Sequence, residues 1–186
     1  MKISLRGGAD KRPIVYPLLY ILNQLGGALL VTEDGAYRRL LQSGGVRTGS
    51  VGNVRIYSHG HIDREELERY ECNPEHFRYM VSDRLETVMK DSDRVITVQR
   101  DGDIEPVDES SKYYIRVGFN APKDKNLSFV KLDISIYKWL YHIESVHRLD
   151  LPRDKGFLKP LTGLFADMLD LSPKAIEKLY KGGGLT

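Results

Sequence analysis

A chain of 186 residues with 41% hydrophobic and 29% charged content has the size and balance of one globular domain. Its 28 basic and 26 acidic residues leave a formal net charge of +2, too even for a strongly basic nucleic-acid module, and the lone Cys72 excludes an internal disulfide. The longest apolar stretch, Tyr16 to Val31, is broken by Asn23, Gln24, Gly26 and Gly27 and falls short of the roughly 20 apolar residues of a spanning helix. With no apolar signal segment behind Met1 to Arg6, the expected location is cytoplasmic.

Lys2 to Arg6 alternates like a short strand, and Gly7 to Arg12 follows as a loop. Pro13 suits a first helical turn, where its missing N–H has no partner to lose. Ile14, Leu18, Ile21, Leu22 and Leu25 then recur at helical spacing until Gly26-Gly27. Ala28 to Val31 is an uninterrupted apolar run of strand length, followed by the polar turn Thr32 to Gly35 and a short helix, Ala36 to Gln42. Strand, glycine loop, helix, strand predicts a parallel pair joined by a crossover.

Val54 to Tyr57 reads as a further strand and Ile62 to Leu67 as the start of a polar helix. Phe77, Met80, Val81, Leu85, Val88 and Met89 predict a helix over Pro74 to Lys90. Arg94 to Gln99, rich in β-branched residues, is a strand, and the acidic stretch Asp101 to Glu109 a solvated loop. Tyr113 to Phe119 and Leu127 to Leu132 are strands that either form a hairpin or lie apart in the sheet. Helices are expected over Ile134 to Ile143, Lys159 to Leu169 and Pro173 to Tyr180, the last capped by Ser172. The whole reads as a single α/β domain, 1–181, with a mostly parallel sheet between helical layers and a flexible tail, 182–186.

Gly7 and Gly8 stand between a strand and a helix, where loop N–H groups and the helix start can converge on a phosphate while Lys11 or Arg12 adds positive charge. The same glycines also suit a tight βα turn needing positive φ. The segment Arg6-Gly7-Gly8-Ala9-Asp10-Lys11-Arg12 resembles the deviant Walker A loop of the ParA/MinD family of P-loop ATPases. Gly7 and Gly8 fall on the family's glycine pair, Lys11 on its phosphate-binding lysine, and Arg6 on its signature lysine. The helix Ile14 to Gln24, the strand Ala28 to Val31 and the acidic Glu33 and Asp34 follow in the family's order. Arg94 to Gln99 matches a later core strand, and Leu151 to Asp154 the extended segment before the last helices. The resemblance implies a three-layer, P-loop NTPase-like fold, face-to-face dimerisation and work in positioning or segregating cargo.

Two departures bear on chemistry. Asp10 replaces the last loop glycine, placing a carboxylate where backbone should wrap a polyanion. Arg12 replaces the Ser or Thr whose hydroxyl would bind Mg²⁺. No Asp-x-x-Gly or Asp-x-Pro-Pro follows a strand to orient water. Gly7, Gly8, Lys11 and Arg12 are therefore expected to form at most a weak site for ATP or another anion, with no resident cofactor and no catalytic residue.

Other groupings have plainer readings. His59-Gly60-His61-Ile62-Asp63 looks like the start of a metallo-β-lactamase metal motif, yet Arg64 replaces its last histidine and Asp63 is well placed to cap a helix with Glu66 as capping-box partner. Cys72 and His76 could complete a zinc quartet with His59 and His61, at spacings that match no strong finger; a buried, unreactive Cys72 is the alternative. No metal is expected. Basic residues cluster at Lys11-Arg12, Arg38-Arg39 and Arg47, and again at Arg148, Arg153, Lys155 and Lys159, either as solvated surface or as a DNA-facing side. Trp139 is expected in the core.

The leading expectation is a non-catalytic ParA/MinD-like homodimer acting through protein contacts within a larger assembly. The alternatives are a nucleotide-binding P-loop ATPase and a small DNA-associated accessory protein.

Overall fold

The computed structural model describes residues 1–42, 46–60, 62–83, 92–100, 113–119 and 129–184. Among the described residues the strands are β1 (Lys2–Arg6), β2 (Ala28–Thr32), β3 (Thr48–Val51), β4 (Val54–Ser58), β5 (Met80–Asp83), β6 (Arg94–Arg100), β7 (Tyr113–Gly118) and β8 (Phe129–Lys131). They form one sheet in the order β3-β4-β2-β5-β1-β6-β7-β8. Every neighbouring pair is parallel except β3 and β4, which run antiparallel around the turn at Gly52.

Helices α1 (Arg12–Gln24), α3 (Ile134–Val146), α4 (Lys155–Met168) and α5 (Pro173–Tyr180) pack into the larger core on one side of the sheet. Leu18, Ile21 and Leu22 of α1 are fully buried there, each such side chain contributing about 1.5–3 kcal/mol relative to exposure. The short α2 (Arg64–Arg69) covers the other side through Leu67, which joins Leu29, Val31, Tyr57 and Met80 in a smaller cluster. Among the described residues the architecture is thus a mostly parallel α/β sheet with helices on both faces, P-loop NTPase-like in general form. No described helix is long and apolar enough to cross a membrane.

The helix ends follow local chemistry. Gly27 donates to the Leu22 carbonyl at 2.8 Å with Gly26 at φ 108°, so the glycine pair closes α1 as a Schellman turn. Asp133, Asp154 and Ser172 each accept backbone N–H groups at the starts of α3, α4 and α5.

Several expectations need correction. β1 and β2 are parallel but not adjacent, because β5 lies between them, with Val81 in register with both Ile3 and Leu30. A buried apolar run reports depth within a sheet and carries no information on which strand sits beside it. The helix expected from Pro74 is replaced by a single 3-10 turn, Pro74–His76, and then β5; the rest of that span, from 84 to 91, lies outside the described residues. Met80 and Val81 face opposite clusters, so a run buried on both sides of a sheet had mimicked helical spacing. Finally, β7 and β8 are adjacent and parallel, so they neither form a hairpin nor lie apart in the sheet. The short helix after β2 is a 3-10 turn, Gly35–Leu40, and α4 begins at Lys155, four residues before its expected start.

Candidate functional site

The order of the sheet reverses at β1: the chain first builds outward through β2 and β4, then returns through β5 and continues on the other side through β6, β7 and β8. In open α/β sheets the crevice outside the carboxyl end of a strand at such a point is the usual ligand position. The loop from Gly7 to Lys11 occupies that place.

Gly7 has φ 95°, and a Cβ on it would lie 2.1 Å from the Val98 carbonyl oxygen. Its glycine is required by close approach of the loop backbone to β6. A Cβ on Gly8 would meet nothing within 4 Å. Lys11 is the residue before α1, and its carbonyl accepts from both Ile14 and Val15 at 2.9 Å. Its ammonium runs inward rather than over the loop.

Lys11 Nζ stands 2.9 Å from Asp83 Oδ1 at the end of β5, with both side chains at most 2% exposed. That contact is a charge pair lacking good hydrogen-bond direction, since Oδ1 accepts no directed bond. The other oxygen, Oδ2, accepts from the hydroxyl of fully buried Tyr37 at 2.9 Å. Burial first, and the Asp83 charge second, hold the Tyr37 phenol well above its ordinary value.

Arg12 belongs to a second cluster. Its Nε and Nη2 donate to the two oxygens of Asp10 at 3.0 and 2.8 Å, and Nη1 donates to Glu144 Oε1 on α3 at 2.9 Å. Tyr16 also donates to Glu144 Oε1, at 2.9 Å, while Arg39 approaches Oε2 at 3.8 Å. Burial works to raise the Asp10 carboxyl, but the hydrogen bonds and charge of Arg12 outweigh it and leave it below the usual value. The rings of Tyr16 and Tyr37 meet edge-on at 5.8 Å and join the two clusters.

The loop therefore brings Gly7, Gly8, Lys11 and Arg12 together, and each cation already faces a carboxylate. Asp83, Tyr37, Glu144 and Tyr16 complete the arrangement and were not anticipated as site residues. Asp83 ends a short apolar run that could have signalled a strand; Glu144 left no sequence signal, because only the packing of α3 brings it to Arg12. Of the acidic pair after β2, Asp34 caps the 3-10 turn by accepting from Ala36 N at 2.9 Å, and Glu33 is exposed.

The remaining groupings are separate. Asp63 accepts from Glu66 N at 2.7 Å as the cap of α2, and Glu66 Oε2 accepts from Tyr57 at 2.8 Å. His59 Nδ1 lies 3.5 Å from the same Glu66 oxygen, while His61 is outside the described residues. Cys72 is fully buried and donates to the Tyr70 carbonyl at 3.4 Å. Among the described residues no group of three or more His, Cys, Asp or Glu side chains is arranged to hold a metal ion. Arg38 is tied to the Ser58 carbonyl at 3.1 Å, whereas Arg39 and Arg47 are 65% and 45% exposed. No protein-family model matches the chain, and no curated protein matches it in sequence.

Proposed function

We propose that this is a non-catalytic, ParA/MinD-like protein that acts through protein–protein contacts in the partition, positioning or assembly of a cellular or mobile-element machine, and does so as a homodimer. The observation that supports this most is the buried Lys11–Asp83 pair at 2.9 Å, beside an Arg12 held by Asp10 and Glu144. A polyanion entering the loop would have to draw Lys11 away from Asp83 and expose a buried carboxylate to its own negative charge. Asp10 occupies the space beside that path, and Arg12 has no oxygen to ligate Mg²⁺. The loop then serves as a structural joint between β1, β5 and α3.

Phosphate release with Mg²⁺ and ATP, measured for wild type and Lys11→Ala, tests the reading. Background-level release from both is expected; turnover in wild type that disappears in Lys11→Ala would refute it. Sedimentation equilibrium at micromolar concentration tests the dimer, and a monomer throughout would defeat that part.

A nucleotide-binding reading draws its support from the position of the loop at the reversal point of the sheet. Calorimetry with ATP separates binding from turnover, and calorimetry with short DNA tests the DNA-associated reading that exposed Arg39 and Arg47 favour.

A further inference from the structure

The carboxyl ends of β6 and β7 enclose a cavity of about 430 Å³ together with the start of α3 and the loop after β1. Its volume falls within the roughly 300–1,000 Å³ of small-molecule sites, and the crevice beyond the strand ends is where open α/β sheets hold ligands. Val117, Phe119, Leu132 and Tyr137 give it apolar and aromatic walls, and Gly118 adds backbone alone. Phe119 and Tyr137 are 63% and 38% exposed and stack with ring centroids 6.1 Å apart, so two rings of the lining remain open to solvent.

The two charged side chains of the lining, Asp10 and Arg100, have opposite signs. Arg6 of β1 is in register with Thr97 of β6; Asp10 lies four residues beyond the first and Arg100 three beyond the second. Arg100 also follows Ile96 and Val98 in alternation, on the face of the sheet that α3 covers. Asp10 is held in place by Arg12, whose Nε and Nη2 reach its two oxygens at 3.0 and 2.8 Å. Arg12 also serves Glu144 at 2.9 Å, so one guanidinium answers two carboxylates, and exposed Arg39 comes only within 3.8 Å of Glu144. Among the described residues Oδ2 of Asp10 accepts from Arg12 only, and a carboxylate oxygen has two lone pairs, so it can take a second donor. Arg100, with five N–H donors in a planar fork, suits a carboxylate. Lys131, Asp133 and Lys138, which flank Leu132 and Tyr137 in the chain, are of mixed sign, so the rim favours neither a net anion nor a net cation.

We infer that this cavity takes a free α-amino acid with a large apolar side chain. Its ammonium donates to Asp10, its carboxylate accepts from Arg100, and its side chain lies against Tyr137, Phe119 and Leu132. A zwitterion satisfies both charges of the wall while carrying no net charge of its own, and the apolar walls select against polar side chains. Binding there needs no turnover at the glycine loop and adds a small-molecule ligand to the protein contacts proposed above.

Isothermal titration calorimetry on the full chain with L-phenylalanine, L-leucine and L-tryptophan tests this, with glycine as the ligand that lacks a side chain. At least one of the three should bind more tightly than about 1 mM, and glycine at least tenfold more weakly than that one. For the tightest binder, the amine lacking its carboxylate and the acid lacking its ammonium should each lose tenfold or more. Arg100→Ala should weaken the amino acid tenfold and leave the amine unchanged, and Tyr137→Ala should weaken both; circular dichroism confirms that each variant is folded. No binding of any of the three, equal binding of glycine, or indifference to Arg100→Ala would overturn the inference. So would an acid that binds as tightly as the amino acid, since the site would then be one for an apolar anion. Phosphate release is read separately: turnover would refute the non-catalytic reading and leave this site standing.

Discussion

Gly7 and Gly8 are neighbours in one loop and answer to different constraints. Alanine at Gly7 must adopt a positive φ and displace the backbone of β6, so Gly7→Ala should cost at least about 2 kcal/mol. Alanine at Gly8 meets open space and should change stability by no more than about 0.5 kcal/mol. Urea unfolding of the two variants distinguishes this packing requirement from a loop in which both glycines serve a ligand. The pair Lys11–Asp83 makes a second contrast. Asp83→Ala strands a buried ammonium and should cost about 3–5 kcal/mol, whereas the paired change Lys11→Met with Asp83→Leu should cost only about 1–3 kcal/mol, for the Tyr37 hydroxyl left without its acceptor. The loop glycines and cations were legible in the sequence because they are contiguous. Of their carboxylate partners only Asp10 is contiguous with them; Asp83 and Glu144 reach them only through the sheet and α3.

At the scale of elements, α3 is the piece that fixes the loop from outside. Glu144 accepts from Arg12 and Tyr16 at once, so Glu144→Ala leaves a buried phenol without its acceptor and should destabilise by about 1–3 kcal/mol. Equilibrium denaturation measures it, and a loss below about 0.5 kcal/mol would show that α3 is held by its apolar face alone. Elements with a strong end signal were read well: Gly26-Gly27 after α1, Ser172-Pro173 before α5, Asp63 before α2. Those lost were β3, whose Thr-Gly-Ser-Val has almost no apolar pattern, and β5, whose four residues were absorbed into a helical period running on past the described residues. Both errors arise because a short strand is defined by its neighbours more than by its own sequence.

For the whole molecule, titration bounds the stable range on both sides. Asp10 is held below its ordinary carboxyl value in the folded state, so its contribution is present above about pH 4 and is lost as pH falls through the lower folded value. Tyr16, Tyr37, Tyr57 and Tyr180 are all raised, chiefly by burial, with Tyr180 pushed up to about 12. Their contribution is complete below about pH 10 and declines above it, as tyrosines of the unfolded chain ionise while the buried ones stay protonated. Thermal unfolding scanned across pH should therefore fall at both ends, and Tyr37→Phe should flatten the alkaline limb. The fold class was the most legible property of all, because alternating strand and helix patterns suffice for it; the order of strands required contacts that no local pattern encodes.

That strand order governs how the chain can assemble as it is synthesised. β1 emerges first, yet both of its neighbours come much later: Ser4 meets its β5 partner, Ser82, 78 positions downstream, and β6 follows at Arg94. A nascent chain extending to residue 60 can join β2, β3 and β4, but it holds β1 with two bare edges and with Ile3 and Leu5 only under α1. Pairings that distant close slowly, and an unpaired apolar strand invites association with other chains while it waits. A fragment of residues 1–60 should thus leave β1 amides unprotected in hydrogen exchange and aggregate on concentration, while a fragment of residues 1–100 should protect them. Protection of β1 in the shorter fragment would mean that α1 alone can hold the strand in place.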